Sequence, residues 1–188
     1  MYSSLKEIET ECQSCMRCAL HQGRTNLVFG AGSETAKIMF VGEGPGRQED
    51  LTGIPFVGRS GQLLDKYLSI VDLSREKNVY IANIVKCRPE NNRDPKPEEC
   101  EACIDFLRSQ VRLIRPTVIV CLGRIAAQRL ISPDFRVTKQ HGEFIKRGNT
   151  YLMGTFHPSA LLRNGAQKSL ALSDFQKLRE KALELDLY

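Results

Sequence analysis

The chain has 188 residues, 41% of them hydrophobic and 26% charged, with a net charge of +5. That balance is ordinary for a globular protein able to bury a core of its own. No apolar run approaches the roughly 18 residues of a membrane span, and the start of the chain has no apolar signal core, so a cytoplasmic protein is expected. The positive charge permits a polyanionic partner without demanding one. Seven cysteines, odd in number and clustered at 12, 15, 18, 87, 100 and 103 with Cys121 apart, argue against a disulfide framework and for metal or cluster ligation.

In chain order, residues 3–18 read as a short helix ending in the first cysteine cluster, and 23–36 as polar, glycine-bearing loop. Apolar strand at 37–41 runs into Gly42-Glu43-Gly44-Pro45-Gly46-Arg47-Gln48-Glu49-Asp50. There three glycines and a proline predict a tight loop whose backbone N–H groups face a ligand. Both Glu43 and Glu49 are expected inside that loop rather than on a helix. Breakers fill 52–58, and a leucine stripe predicts a helix over 60–71. A second strand is expected at 79–85 and a loop at 88–95. Pro97 then fits the first turn of a helix carrying Ile104, Phe106, Leu107, Val111 and Ile114. The continuous apolar run 117–122 predicts a strand buried on both faces. Gly123 opens a helix through Leu130, and 142–146 with 150–155 read as a hairpin about Arg147-Gly148-Asn149. His157-Pro158-Ser159 precedes a short helix, and an amphipathic helix covers about 170–185. Strands alternating with helices predict one α/β domain over 1–188. Its form would be a three-layer α/β/α sandwich around a central, mainly parallel four-stranded sheet.

The chemistry-bearing residues sit where such strands end. Cys15 and Cys18, three apart on a turn, can chelate one metal, and by spacing alone their partners would be Cys100 and Cys103, a zinc-type pair of pairs. Cys87, just past a strand, equally allows an iron–sulfur cluster, and core thiols with no metal are the third reading. His157 follows a strand and precedes a proline, which makes it the histidine of the three best placed for catalysis. Asn83 ends an apolar strand, where a buried amide must find partners. A carboxamide offers a base edge both a donor and an acceptor, and Phe56, braced by Pro55 and Gly58, would suit a stacking platform. No Walker A sequence and no Gly-x-Ser-x-Gly elbow is present, and Arg47 breaks the dinucleotide fingerprint, so phosphate cradling is weakly supported.

Together these motifs resemble the iron–sulfur, family 4 uracil-DNA glycosylases. The likeness runs nearly end to end. It covers Cys15-x-x-Cys18-Ala-Leu-His21, Arg24-Thr25-Asn26, Gly42-Glu43-Gly44-Pro45-Gly46 and the stretch from Thr52-Gly53-Ile54-Pro55-Phe56 to Asp65. It continues through Asn83-Ile84-Val85-Lys86-Cys87-Arg88-Pro89, Asn92-Arg93-Asp94-Pro95 and His157-Pro158-Ser159-x-Leu161-Leu162-Arg163.

The resemblance implies a 4Fe–4S cluster on Cys15, Cys18, Cys87 and Cys103, tying down the N-terminal segment, with Cys12, Cys100 and Cys121 spare. It implies removal of uracil from single- or double-stranded DNA by a monomer. The uracil would meet Gly42, Glu43, Gly44, Phe56, Asn83, Asn92 and His157. Glu43, Glu49 and His157 would be catalytic, with Glu43 at the pocket and Glu49 orienting the water. Leu161 or Leu162 would fill the gap left by the flipped base while Arg163 holds phosphate. The family loop usually has alanine where Gly44 stands, a change expected to loosen the pocket or to help the backbone approach the base. No inserted basic loop lies between Arg88 and Pro97, so ordinary turnover is expected. A non-catalytic iron–sulfur module that binds nucleic acid or senses redox state is the alternative.

Overall fold

The computed structural model describes residues 2–188. In chain order the elements are α1 (Leu5–Gln13), β1 (Ala31–Gly32), β2 (Ile38–Gly42), α2 (Arg47–Thr52), α3 (Arg59–Ile70), β3 (Val79–Asn83) and α4 (Pro97–Ile114). They continue with β4 (Val118–Leu122), α5 (Arg124–Leu130), α6 (Val137–Gln140), β5 (Phe144–Arg147), β6 (Thr150–Thr155), α7 (Pro158–Arg163) and α8 (Lys168–Glu184). The sheet order is β1-β3-β2-β4-β6-β5. The four central strands are parallel, and each edge is closed by one antiparallel strand. The expected four-stranded parallel core is thus present inside a mixed sheet of six.

The period-2 rule explains the layering. Met39 and Val41 of β2 point into one core with Ile8, Ile104, Leu107 and Ala127, so α1, α4 and α5 cover that face. Ile38 and Phe40 point into the other, with Leu64, Leu68, Phe175 and Leu178 of α3 and α8. Strands β2, β3 and β4 are buried at every position, as parallel strands covered on both faces must be.

Three expectations needed revision. The first helix stops at Gln13, so Cys12 closes it while Cys15 and Cys18 lie in the loop beyond. The second strand stops at Asn83, after which the chain bends to bring Cys87 inward. The glycine loop ends early too. Residues 47–52 form α2, and Glu49 stands in its first turn instead of in the loop.

Chain order and sheet order together place the ligand site. From β2 the chain crosses to β3 on one side, then to β4 on the other, so the topology reverses at β2. Open α/β sheets bind ligands in the crevice outside the carboxyl ends of the strands at such a switch point.

Candidate active site

A cavity of about 690 Å³ opens there, lined by residues following β2, β3, β4 and β6. Asn83 and Phe56 line it, and Gly42 packs against both without lining it. Asn83 is 1% exposed, and its Oδ1 is buried with no hydrogen-bond partner among the described residues. A buried amide left open costs about 1–3 kcal/mol, so its presence beside a cavity points to a ligand that completes it. A Cβ built on Gly42 would lie 2.5 Å from that Oδ1 and 2.6 Å from Phe56 Cζ. Only glycine lets strand, amide and ring converge.

Phe56 is buried, with its backbone in the left-handed region at φ 54°. Such a conformation costs roughly 1–3 kcal/mol and persists where its surroundings impose it. Here Arg75 donates to the carbonyls of Pro55 at 2.9 Å and Phe56 at 2.8 Å, while Asp65 holds the same guanidinium. Gly61 allows the close approach, because a Cβ there would sit 1.7 Å from the Phe56 oxygen.

His157 caps α7. Its Nδ1 accepts the Ser159 N–H at 3.1 Å and the Ser159 hydroxyl at 2.7 Å. With Nδ1 an acceptor, the neutral ring carries its proton on Nε2. Burial pushes the imidazole down to about 4, helped by Arg163 and opposed by Glu49, so the neutral donor is the working form near pH 7. The ring centroid lies 5.7 Å from that of Phe56. Gly123, at φ 89°, gives the histidine its room, since a Cβ there would meet His157 Cβ at 2.8 Å.

The two carboxylates differ in use. Glu49 is committed to backbone: Oε1 accepts the N–H groups of Val57 and Gly58, both at 2.9 Å, and Oε2 that of Gly46 at 3.1 Å. It staples the glycine loop to the Phe56 loop. Glu43 is half-buried at the cavity, and desolvation raises its carboxyl to about 7, with Asp94 adding to the rise and Arg124 opposing it. Arg124 pairs with Asp94 across the same mouth. Asn92 lines the cavity, but its Oδ1 accepts from Arg88 Nε at 2.7 Å. At Gly44, a Cβ would press a Val85 methyl at 2.8 Å, so the volume an alanine would fill is already taken from behind the loop.

The cysteines form a second site. Cys12, Cys15, Cys18, Cys87 and Cys103 line one small cavity, whereas Cys100 lines a separate groove between α4 and α5. The pair of pairs drawn from spacing is therefore not assembled. Among the described residues no three His, Cys, Asp or Glu side chains close on a single metal ion. Donors surround the sulfurs instead. Arg24 reaches Cys87 Sγ at 3.3 Å and the Lys86 N–H reaches Cys103 Sγ at 3.3 Å. Burial raises the Cys103 thiol to about 11, a penalty that metal coordination removes. Five sulfurs on one small cavity are a ligand set for a thiolate-bound metal group.

The uracil DNA glycosylase superfamily model matches residues 29–183, the stretch that builds the whole cavity. The chain belongs to that superfamily. It is 48% identical over 185 residues to the type-4 uracil-DNA glycosylase of Archaeoglobus fulgidus, covering 94% of this chain and 92% of the relative. The type-4 enzyme of Thermotoga maritima is 46% identical, with 93% of each chain covered. A type-5 uracil-DNA glycosylase from Pyrobaculum aerophilum is 32% identical over 69% of this chain and 64% of its own length.

On this superfamily fold the rim residues separate cleanly. Leu161 is 1% exposed and packs into the core, while Leu162 is 39% exposed beside Arg163 at the cavity mouth. Sequence reasoning passed over Arg75, Arg124, Asp94 and Ser159. Asp94 belongs to the Asn92-Arg93-Asp94-Pro95 motif, which by itself assigns it no role. Ser159 carried a usable signal, because a serine two residues after a helix-capping histidine can return its N–H to the ring. Arg75 had none.

Proposed function

We propose that this chain hydrolyses the N-glycosidic bond of deoxyuridine in DNA, releasing uracil and leaving an abasic site. One observation carries the reading: a buried, unpartnered Asn83 amide set beside a fixed aromatic ring and a neutral histidine. That trio fits a flat base with a polar edge. Flipping delivers the base, and Phe56 stacks on its face. The Asn83 carboxamide donates to O4 and accepts N3–H. Cytosine offers an amino group where O4 would be, and a site built for one edge rejects the other strongly.

As the bond breaks, negative charge gathers on the departing uracil. The Nε2–H of His157 donates to O2, and a fixed donor aimed at developing charge is among the largest contributions an enzyme makes. The sugar becomes oxocarbenium-like. Glu43, the carboxylate with free oxygens, faces it and takes a proton from the attacking water. Glu49 serves by holding Gly46, Val57 and Gly58 in place. Leu162 occupies the vacated stack, with Arg163 on the phosphates.

Cys15, Cys18, Cys87 and Cys103 would hold a 4Fe–4S cluster that ties the N-terminal segment to the loop after β3. When bound it supplies cross-linking rather than chemistry to the reaction. The enzyme is expected to act as a cytoplasmic monomer over one domain. No helix among the described residues is long and apolar enough to cross a membrane.

Base release from uracil-containing oligonucleotides, single- and double-stranded, is the test. Wild-type protein should liberate uracil and leave alkali-labile sites. Asn83→Ala and His157→Ala should each lose activity by about two orders of magnitude or more, the scale of one transition-state donor. Full activity in both variants would discard the pocket assignment.

A further inference from the structure

Lys86 lies between the two sites and serves neither in the reaction described. It follows Asn83 by three residues, immediately precedes Cys87, and is 1% exposed. Its ammonium meets two neutral acceptors, the carbonyl of Asn83 at 3.0 Å and Gln110 Oε1 at 2.6 Å. Gln110 is locked in that orientation because its amide group donates to the Phe29 carbonyl at 3.0 Å and to Tyr80 Oη at 3.2 Å.

The Asn83 carbonyl needs such a partner. Edge strand β1 pairs only with Tyr80 and Ile81 and does not reach it. A strand-end carbonyl inside the protein requires a donor, and a side chain from beyond the strand supplies it.

A buried ammonium is ordinarily held by a carboxylate. Lys86 instead borders the thiol cavity together with Cys12 and Cys103, and its own backbone N–H is the donor to Cys103 Sγ. Four thiolates around an iron–sulfur group leave net negative charge, and charges or hydrogen bonds near the sulfurs stabilise it.

We propose that Lys86 is a positioning residue that couples the two sites. Through the Asn83 carbonyl it fixes the strand end presenting the uracil-reading amide, and its charge balances the thiolates behind. This inference rests on the proposed function, including the cluster on Cys15, Cys18, Cys87 and Cys103. It gives a hydrolase with no redox step a reason to keep a metal group close to its base pocket: one residue is anchored by both.

The test uses purified holoenzyme and Lys86→Met, which keeps an unbranched side chain one atom shorter and removes its charge and donors. Uracil-DNA kinetics and the rate of iron loss to a chelator are measured together. KM should rise about tenfold with kcat much less affected, the scale of one lost hydrogen bond to a charged group. Iron should leave about tenfold faster, as when an outer-shell partner is removed. Gln110→Met, which frees the ammonium without touching the thiols, should raise KM less and leave iron loss unchanged. A wild-type KM in Lys86→Met overturns the proposal, and so does a raised KM with unchanged iron loss, which would reduce Lys86 to a support of the strand. Should Lys86→Met fail to fold, an unchanged KM in Gln110→Met overturns it. A wild-type chain that releases no uracil or carries no iron would refute the proposed function instead.

Discussion

Replacing Glu43 by Gln removes one titrating proton from the pocket and little else. In the wild type, burial raises the carboxyl from 4.5 to about 7, with Asp94 adding and Arg124 opposing. The folded state therefore holds this proton more tightly than the unfolded chain does. The stability that follows is fully present below 4.5 and is lost as pH rises through about 7. Gln is neutral throughout and loses nothing. A tenfold change in protonation is about 1.4 kcal/mol, so the interval amounts to roughly 3 kcal/mol for a fully buried group. For this half-buried side chain, screened from the cavity, about 2 kcal/mol is the better figure. In a chain of this length that is about 4–8 °C in Tm.

The assay is thermal unfolding of both proteins followed by circular dichroism at pH 4.5 and pH 8. The variant should melt close to wild type at the lower pH and several degrees above it at the higher one. Base release should show the opposite pattern. The wild-type rate should climb through about pH 7 as the carboxylate forms, and the variant should lack that limb. A Tm difference that does not change with pH, or a variant less stable at pH 8, would refute the assignment of Glu43 as a desolvated carboxylate.

Gly42→Ala places a methyl against the Asn83 amide and the Phe56 ring. Overpacking of about 1–3 kcal/mol should appear as a fall of about ten- to hundredfold in kcat/KM with the circular dichroism spectrum intact. Leu162→Ala should slow release from double-stranded more than from single-stranded uracil DNA and leave Tm nearly unchanged. Leu161→Ala should instead cost about 2–5 kcal/mol of stability in unfolding experiments. Cys87→Ala should abolish bound iron and the broad absorbance near ~400 nm, whereas Cys100→Ala, outside the thiol cavity, should retain both in iron analysis and visible spectra.

What could be read from the chain alone followed from periodicity and punctuation. Three of the four parallel strands, β2, β3 and β4, are apolar runs, and the pocket residues Asn83 and His157 stand at or just past the ends of β3 and β6. Other parts escaped for physical reasons. Helix α2 is six residues long, too short for a helical stripe, and is held by Glu49 reaching back to Gly46. Strand β1 has two residues and exists because β3 offers an edge. Arg75 looks like any loop arginine, since its partners lie 19 and 20 residues earlier. The division of the thiols depends on how the loop after β3 folds back on α1 and α4, and C-x-x-C spacing cannot distinguish Cys100 from Cys103.

The left-handed turn at Phe56, clamped by Arg75 and closed over Gly61, makes the proposed base platform part of the folded protein rather than something DNA must assemble. A slot finished in advance takes the leaving group as readily as the attached base, because the sugar plays no part in shaping it. Free uracil should therefore compete with substrate, and its departure becomes a step that turnover has to wait for.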